Sequence, residues 1–169
     1  MSREMPGAPI IDRQFRLISL RFPATKGAVR DALLTVDRTL ASAGTAEDLR
    51  TRTQIALAEA CNNIVEHAYT PPGLLAAAEI RLDIAGDVAG LQIMLRDRGH
   101  PMPAGPLPGR ELPPIDPDDV AALPEGGFGW ALLRETTRAL SLSRSNGQNI
   151  LRFRLPNADR PGPLGRTAM

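Results

Sequence analysis

Proline dominates the middle of this sequence, with eight of the chain's 16 prolines between residues 101 and 124. Proline lacks a backbone donor and has a restricted φ angle, so this segment can form neither a helix nor a central strand. A connection this long inside a compact domain usually has a function of its own or is disordered. The 169 residues amount to about one domain. That domain is predicted over residues 12–156, with flexible tails at 1–11 and 157–169.

Hydrophobic periodicity predicts the element order β, α, α, β, β, loop, α, β, β. The predicted strands are 14–22, 77–84, 91–96, 140–145 and 150–155, and the predicted helices are 26–43, 46–69 and 128–137. Thr45 is predicted to cap the second helix, and Asn146-Gly147 to form the last hairpin turn. The fold class that follows is α+β, a two-layer α/β sandwich with helices on one face of a mixed, mostly antiparallel sheet.

The charge balance and the cysteine count exclude several classes of protein. Lys and Arg total 20 against 19 Asp and Glu, and a net charge of +1 argues against a large nucleic-acid interface. No stretch approaches the roughly 18 apolar residues of a membrane span, and the first residues lack the pattern of a signal peptide. Cys61 is the only cysteine, which excludes a disulfide framework and argues against a zinc site. We therefore expect a cytoplasmic protein that contacts neither membranes nor nucleic acid directly.

The second predicted helix carries the first polar pair of chemical interest. Glu59 and Asn63 are four residues apart and share one face of that helix. A neutral amide oxygen suits Mg²⁺, which takes few protein ligands, and a carboxylate can orient or deprotonate a hydroxyl group. The alternative is a solvated helix face. On the same helix, Cys61 and His67 are expected to be packed rather than reactive.

Two turns that contain glycine follow further along the chain. Asp97-Arg98-Gly99 comes directly after a predicted strand, where a carboxylate could accept a hydrogen bond from an amine and glycine would allow a close approach. Gly126-Gly127-Phe128-Gly129 precedes a helix, where free backbone N–H groups could bind an anion. The alternatives are an ordinary turn and a hinge for the proline-rich loop. Trp130 is expected in the core.

The order of these motifs is more specific than any one of them. E-x-x-x-N on a helix, D-x-G after a strand, a long loop and G-G-x-G at a helix start resemble the GHKL ATPase superfamily. The string ALAEACNNIVEHAYT, residues 56–70, resembles the serine-kinase anti-sigma factors of bacterial partner-switching systems. The resemblance extends over residues 15–155 and includes the order of the strands and the terminal hairpin.

The resemblance implies roles for individual residues. Asn63 would coordinate Mg²⁺ bound to ATP, and Glu59 would be the catalytic base or polariser of an attacking serine hydroxyl. Asp97 would accept a hydrogen bond from the adenine amino group, with Gly99 permitting close approach. Gly127 and Gly129 would present amides to the phosphates.

The resemblance to this family also implies roles for the proline-rich loop and for the first helix. Residues 101–125 would form an ATP lid in which Arg110 could reach phosphate, and Arg30 on the first helix would contact a protein partner. The expected partners are a STAS-type anti-sigma antagonist, a sigma factor and a second copy of the chain.

Three positions depart from the family pattern and leave more than one function open. Pro101 stands where a second glycine is common, Trp130 replaces an aliphatic residue, and Lys26 is the only lysine, so none lies in the lid. The main hypothesis is an ATP-dependent serine kinase that phosphorylates a STAS-type antagonist. The alternatives are a nucleotide-binding adaptor or anti-sigma factor that sequesters a partner without phosphorylating it, and a domain that phosphorylates a histidine of another protein.

Overall fold

The computed structural model describes residues 15–68, 78–102, 107 and 128–157. The proposed tails apart from Asn157, most of the lid, Arg110, Gly126 and Gly127 lie outside this part of the chain. The described elements are β1 (Phe15–Pro23), α1 (Lys26–Ser42), α2 (Glu47–Asn63), a π-helical segment Ile64–Ala68 that we call the π turn, β2 (Glu79–Asp87), β3 (Gly90–Asp97), α3 (Phe128–Thr136), β4 (Arg138–Ser145) and β5 (Gln148–Pro156).

The five strands form one sheet in the order β1-β2-β3-β5-β4, and every described pair is antiparallel. The chain leaves β3, forms α3, enters the sheet again at the edge as β4 and returns through a hairpin as β5 beside β3. The predicted α+β class and element order are confirmed. The predicted mixed character of the sheet is replaced by a purely antiparallel arrangement within the described strands.

The core lies between the helices and one face of the sheet. Alternate residues of the central strands point inward because successive side chains of a strand face opposite sides. They form one buried cluster with the apolar face of the helices, and its fully buried members include Val36, Leu40, Leu57, Ile84 and Phe153. Both α1 and α3 pack against α2, which makes α2 the central helix of the second layer.

The capping of the helices differs from the expectation at one point. Thr45 does not cap α2, whose N-cap is Ala46 and has no side-chain hydrogen bond. The backbone N–H of Thr45 instead donates to Leu40 O at 3.0 Å and helps to end α1, where Gly44 adopts a φ of +78°. The backbone of Thr45 thus belongs to the end of α1, and the N-cap position of α2 falls one residue later, at Ala46.

None of the helices within the described ranges has the length and apolar character needed to cross a membrane.

Two phenylalanines test where the stability of the fold originates. Phe153 on β5 is 2% exposed and Phe15 on β1 is 60% exposed. We expect Phe153→Ala to lower the free energy of unfolding by about 3–5 kcal/mol because it leaves a cavity in the core. Phe15→Ala should change it by no more than about 0.5 kcal/mol. Urea denaturation of both variants measures the difference, and similar losses for the two would contradict the assignment of the core.

Candidate functional site

Glu59 and Asn63 lie one turn apart near the end of α2, directly before the π turn. Both side chains are half-buried. Neither forms a hydrogen bond or ion pair with the residues that the structure describes, and Asn63 Nδ2 is buried without a partner there. Buried polar groups are normally satisfied. The Asn63 carboxamide is therefore available to a ligand, as is the neighbouring carboxylate.

The start of α3 faces this pair. A Cβ atom built at Gly129 would collide with Glu59 Oε2, and it would lie 3.4 Å from Glu59 Cδ and 3.9 Å from Asn63 Nδ2. The tertiary structure thus brings Glu59, Asn63 and Gly129 together, although the proline-rich segment separates Gly129 from the other two. The second predicted glycine of this motif, Gly127, falls outside the described residues.

Asp97 ends β3 with a buried side chain that is 5% exposed. Its Oδ1 accepts hydrogen bonds from Gly99 N at 2.8 Å and from Asn149 Nδ2 at 2.9 Å. Burial raises the pKa of the Asp97 carboxyl above its ordinary value, although these two hydrogen bonds and the Arg144 guanidinium act in the opposite direction. Its Oδ2 has no partner among the described residues and remains available to a further donor.

Gly99 is required for a reason that the sequence did not reveal. A Cβ at this position would collide with the carbonyl oxygen of Ala68 in the π turn, and it would lie 2.5 Å from Ala68 Cβ. The next residue, His100, donates its backbone N–H to the same carbonyl oxygen at 2.6 Å. The close approach at Gly99 is therefore between two segments of the chain itself, whereas the sequence pattern predicts that glycine makes room for a ligand.

Two residues that the sequence analysis missed hold the Asp97 turn in place. Asn149 Nδ2 donates to Asp97 Oδ1 and, at 3.0 Å, to His100 O. Arg144 Nη1 donates to Asn149 Oδ1 at 2.6 Å and to Gly99 O at 3.0 Å. Both residues belong to the last hairpin, where Arg144 and Asn149 are paired across the strands. In the sequence, both are polar residues in strands of alternating polarity, and nothing there distinguishes them from residues on the protein surface.

A cavity of about 560 Å³ opens between the sheet, the π turn and α3. Asp97 and Asn149 lie on its sheet side, and Asn63 lies on its helix side. This volume falls within the roughly 300–1,000 Å³ of small-molecule sites. Apolar residues supply much of the lining, among them Ile64, Ala68, Met102, Trp130 and Leu142.

Two expectations about residues near this cavity have different outcomes. Trp130 is buried as predicted, and it also lines the cavity. The expectation of a packed His67 is wrong, because its side chain is exposed and borders the cavity. The π turn causes this difference, since a wider helical turn rotates the following side chains relative to an α-helix.

Arg30 lies outside the cavity, on the exposed surface of α1. It follows Lys26 by one helical turn, and Lys26 Nζ is 3.8 Å from Glu66 Oε1 of the π turn. Residues four apart share a helix face. Arg30 therefore lies on the side of α1 that adjoins the end of α2, where a bound protein could touch both helices.

The donor set of the site fits one type of metal ion. Within the described ranges no group of three or more His, Cys, Asp or Glu side chains could hold a metal by itself. The oxygen ligands that these residues offer are the Asn63 carboxamide oxygen and the neighbouring Glu59 carboxylate. The unpartnered Asn63 Nδ2 is a donor, which suits a phosphate oxygen beside the metal. Mg²⁺ commonly takes one or two protein oxygens and completes its coordination with water and substrate phosphates. The residues present therefore fit a magnesium–phosphate ligand.

The family to which the chain belongs is shown by comparison with known proteins. Residues 22–155 match the model of the histidine kinase-like ATPase domain. The chain belongs to this family. The superfamily expected from the motif order is thereby confirmed.

Serine-protein kinases are among the known proteins that are similar to this chain. It is 28% identical over 138 residues to the serine-protein kinase RsbW of Bacillus mycoides strain KBAB4, an alignment that covers 82% of this chain and 84% of that protein. It is 30% identical over 139 residues to the serine-protein kinase RsbW of Bacillus thuringiensis strain Al Hakam, with the same coverage.

Two solved structures share the fold of this family member. One is a Mycobacterium tuberculosis protein with RsbU and RsbW domains, with a TM-score of 0.52 and 18% identity, covering 83% of this chain and 33% of that chain. The other is the SiaB–SiaC complex of Pseudomonas aeruginosa, with a TM-score of 0.52 and 14% identity, covering 83% of this chain and 89% of that chain. At these identities the similarity shows the fold alone.

The raised pKa of Asp97 has a measurable consequence for stability. A carboxyl with a raised pKa binds more protons in the folded than in the unfolded chain, so its contribution to stability is largest at low pH. That contribution is lost as the pH rises through the interval between the two pKa values. We expect the stability of the wild-type protein relative to Asp97→Asn to fall over the pH range that begins near the ordinary Asp pKa of about 4 and extends upwards.

Urea denaturation of both proteins across this pH range measures the effect. Carboxylates common to both chains cancel in the difference, which isolates Asp97. A difference that stays constant with pH, or that grows in favour of the wild-type protein as the pH rises, would contradict the predicted cost of burying the ionised carboxylate.

Proposed function

We propose that this protein is an ATP-dependent serine kinase that acts as an anti-sigma regulatory factor and phosphorylates a STAS-type anti-sigma antagonist. The observation that carries the proposal is the proximity of Glu59, the unpartnered Asn63 carboxamide and Gly129 beside the cavity that contains Asp97. The similarity to serine-protein kinases named RsbW over 82% of the chain supports the same reaction.

Asp97 is proposed to recognise the adenine base. Its Oδ2 has no partner among the described residues, and the surrounding wall of the cavity is largely apolar. An ionised carboxylate in such an environment accepts a strong hydrogen bond from an amino group. Guanine carries an oxygen at the corresponding position, which would face the carboxylate unfavourably, so the site should prefer ATP to GTP.

Asn63 is proposed to position the phosphates through the metal. Its amide oxygen would ligate Mg²⁺. The backbone N–H groups of Gly127 and Gly129 would donate hydrogen bonds to phosphate oxygens. Bound Mg²⁺ would neutralise negative charge on the phosphates during transfer. A Cβ at Gly129 would displace the end of the flexible Glu59 side chain from its place beside Asn63.

Glu59 is proposed to act on the acceptor serine. Its carboxylate lies one helical turn from Asn63 and has no partner among the residues described. The serine oxygen attacks the γ-phosphorus, the bond to the bridging oxygen of ADP breaks, and the serine proton passes to Glu59. The products are phosphoserine on the partner and ADP.

The protein partners belong to the proposal as well. Arg30 is exposed on the face of α1 that adjoins the π turn, which makes it available for contact with the antagonist. A sigma factor held inactive by this protein and a second copy of the chain are the other proposed partners.

One observation favours the alternative of a nucleotide-binding adaptor that sequesters its partner without phosphorylating it. Lys26 is the only lysine, and it is engaged with Glu66 on the surface. No lysine is therefore available from the lid to hold the γ-phosphate. Nucleotide binding is common to both proposals, and only phosphoryl transfer distinguishes them.

Two variants separate binding from transfer. We expect Asn63→Ala to abolish the Mg²⁺-dependent part of ATP binding in a calorimetric titration, with Asn62→Ala as the matched control. Glu59→Gln should bind ATP normally. It should transfer phosphate to a STAS-type partner at least about 100-fold more slowly, because it lacks the acceptor for the serine proton. Glu47→Gln, which changes an exposed carboxylate at the opposite end of α2, is the matched control.

Mass spectrometry of the partner decides among the functions. Phosphoserine that forms with the wild-type protein supports the kinase, whereas ATP binding without phosphoserine supports the adaptor. Acid-labile phosphate on a histidine would support the third hypothesis. Transfer that continues undiminished in Glu59→Gln would remove Glu59 from its proposed role.

Asn149 should act as a positioning residue for base recognition. Asn149→Ala removes one of the two hydrogen bonds that hold Asp97 Oδ1. We expect its affinity for ATP to fall about tenfold, since hydrogen bonds to charged groups contribute about 1.5–3 kcal/mol. Binding of GTP should change much less. Equal losses for ATP and GTP would point to general damage to the fold instead of a role in positioning Asp97.

A further inference from the structure

The face of the sheet opposite the helices carries a row of arginines. Arg21 on β1 is paired with Arg81 on β2, and Arg81 is paired with Arg96 on β3. Their inward-pointing neighbours Ile80 and Leu95 belong to the core, so the arginine side chains point away from it. Like charges directly opposite one another on adjacent strands are destabilising. Such a row calls for an anion that compensates the charge.

Among the described residues, these arginines have fewer carboxylate partners than guanidinium groups. Arg21 Nε and Arg81 Nε share one carboxylate oxygen, Glu79 Oε1, at 3.2 Å and 3.1 Å. Arg96 pairs with Asp83 through Nη2. Two carboxylates are therefore paired with three guanidinium groups.

Arg96 has donors that are not used. Its Nε is buried and has no hydrogen-bond partner among the described residues. A guanidinium group carries five N–H donors. Within the described chain, the Arg96 guanidinium group donates only to Asp83. A buried donor without a partner is costly unless a ligand or water satisfies it.

These side chains surround a small recess. It has a volume of about 200 Å³ and is lined by Arg21, Glu79, Arg81, Arg96, Asp97, Arg98 and Gln148. We refer to these residues as the arginine recess. The volume is below the roughly 300–1,000 Å³ of ordinary ligand pockets, and so it suits a small group and not a nucleotide. Asp97 also lines the nucleotide cavity, where Asn149 holds its carboxylate.

We propose that the arginine recess binds a phosphate group, at a site separate from the cavity described above. Arginine guanidinium groups match the planar, bidentate geometry of phosphate oxygens. A phosphate monoester carries a charge of about −1.5 to −2 at neutral pH, which suits a row in which the guanidinium groups of Arg21, Arg81 and Arg96 outnumber their carboxylate partners among the described residues. This site does not depend on the proposed kinase function. Asp97, which lines both the recess and the nucleotide cavity, is the one residue of the recess that was also assigned to ATP.

Titration of ¹⁵N-labelled protein followed by NMR tests the proposal. The probes are inorganic phosphate and a short blocked phosphoserine peptide, each compared with sodium chloride at equal ionic strength. We expect a saturable shift of the Arg96 Nε–H signal with phosphate and none with chloride. Arg81→Gln should weaken binding about tenfold, the effect of losing charge-assisted hydrogen bonds to the anion.

Two further variants control for general effects of charge and of folding. Arg152→Gln removes an arginine from the same sheet face, but outside the recess, and it should leave the affinity unchanged. Arg21→Gln changes an edge-strand residue with an exposed side chain. It gives a second test within the recess should Arg81→Gln fail to fold. If the phosphoserine peptide binds more tightly than inorganic phosphate, the natural ligand is a phosphorylated protein. If inorganic phosphate binds more tightly than the peptide, the natural ligand is a small molecule.

Two results would overturn the proposal. One is a phosphate response no larger than that of chloride. The other is an equal loss of affinity in Arg81→Gln and Arg152→Gln, which would show that phosphate responds to the charge of the whole face and not to the recess.

Discussion

The contact between Gly99 and Ala68 leaves no space for a side chain, and the site depends on it. Gly99 follows β3 and Ala68 ends the π turn, so this contact joins the end of the central strand to the end of the central helix. The hydrogen bond from His100 N to Ala68 O strengthens the same junction. Asp97 on one side and Asn63 on the other are thereby held at opposite walls of one cavity. A π-helical turn is costly in isolation and is typically retained at functional sites, and here it places the Ala68 carbonyl against Gly99.

The end of β3 has a different electrostatic character on each face of the sheet. Strand alternation directs Asp97 towards the core side, where burial raises the pKa of its carboxyl and Asn149 and Arg144 hold its orientation. Its neighbour Arg96 points to the opposite face, where arginines outnumber their carboxylate partners. A period of two residues is thus sufficient to separate a site suited to an amine from a site suited to an anion.

Much of the fold could be predicted because its signals are local. Alternation along β3 and β5, the apolar spacing of α1 and the Asn146-Gly147 turn each depend on a few neighbouring residues. The order of the motifs along the chain was sufficient to indicate the family. Thr45 was assigned to the wrong helix because its side chain matched a cap while its backbone was needed to end α1. His67 was misplaced because nothing in the local sequence indicates that the helix widens after Asn63.

The sequence by itself determined the element order, the family and the residue types at the site, since periodicity and motif spacing are properties of a linear chain. Tertiary structure alone decided which of these residues meet. It placed Gly129 against Glu59 and Asn63, and it brought Asn149 and Arg144 to the Asp97 turn. These contacts join segments far apart in sequence. Their geometry follows from the packing of helices on the sheet and from strand register, which no local pattern encodes.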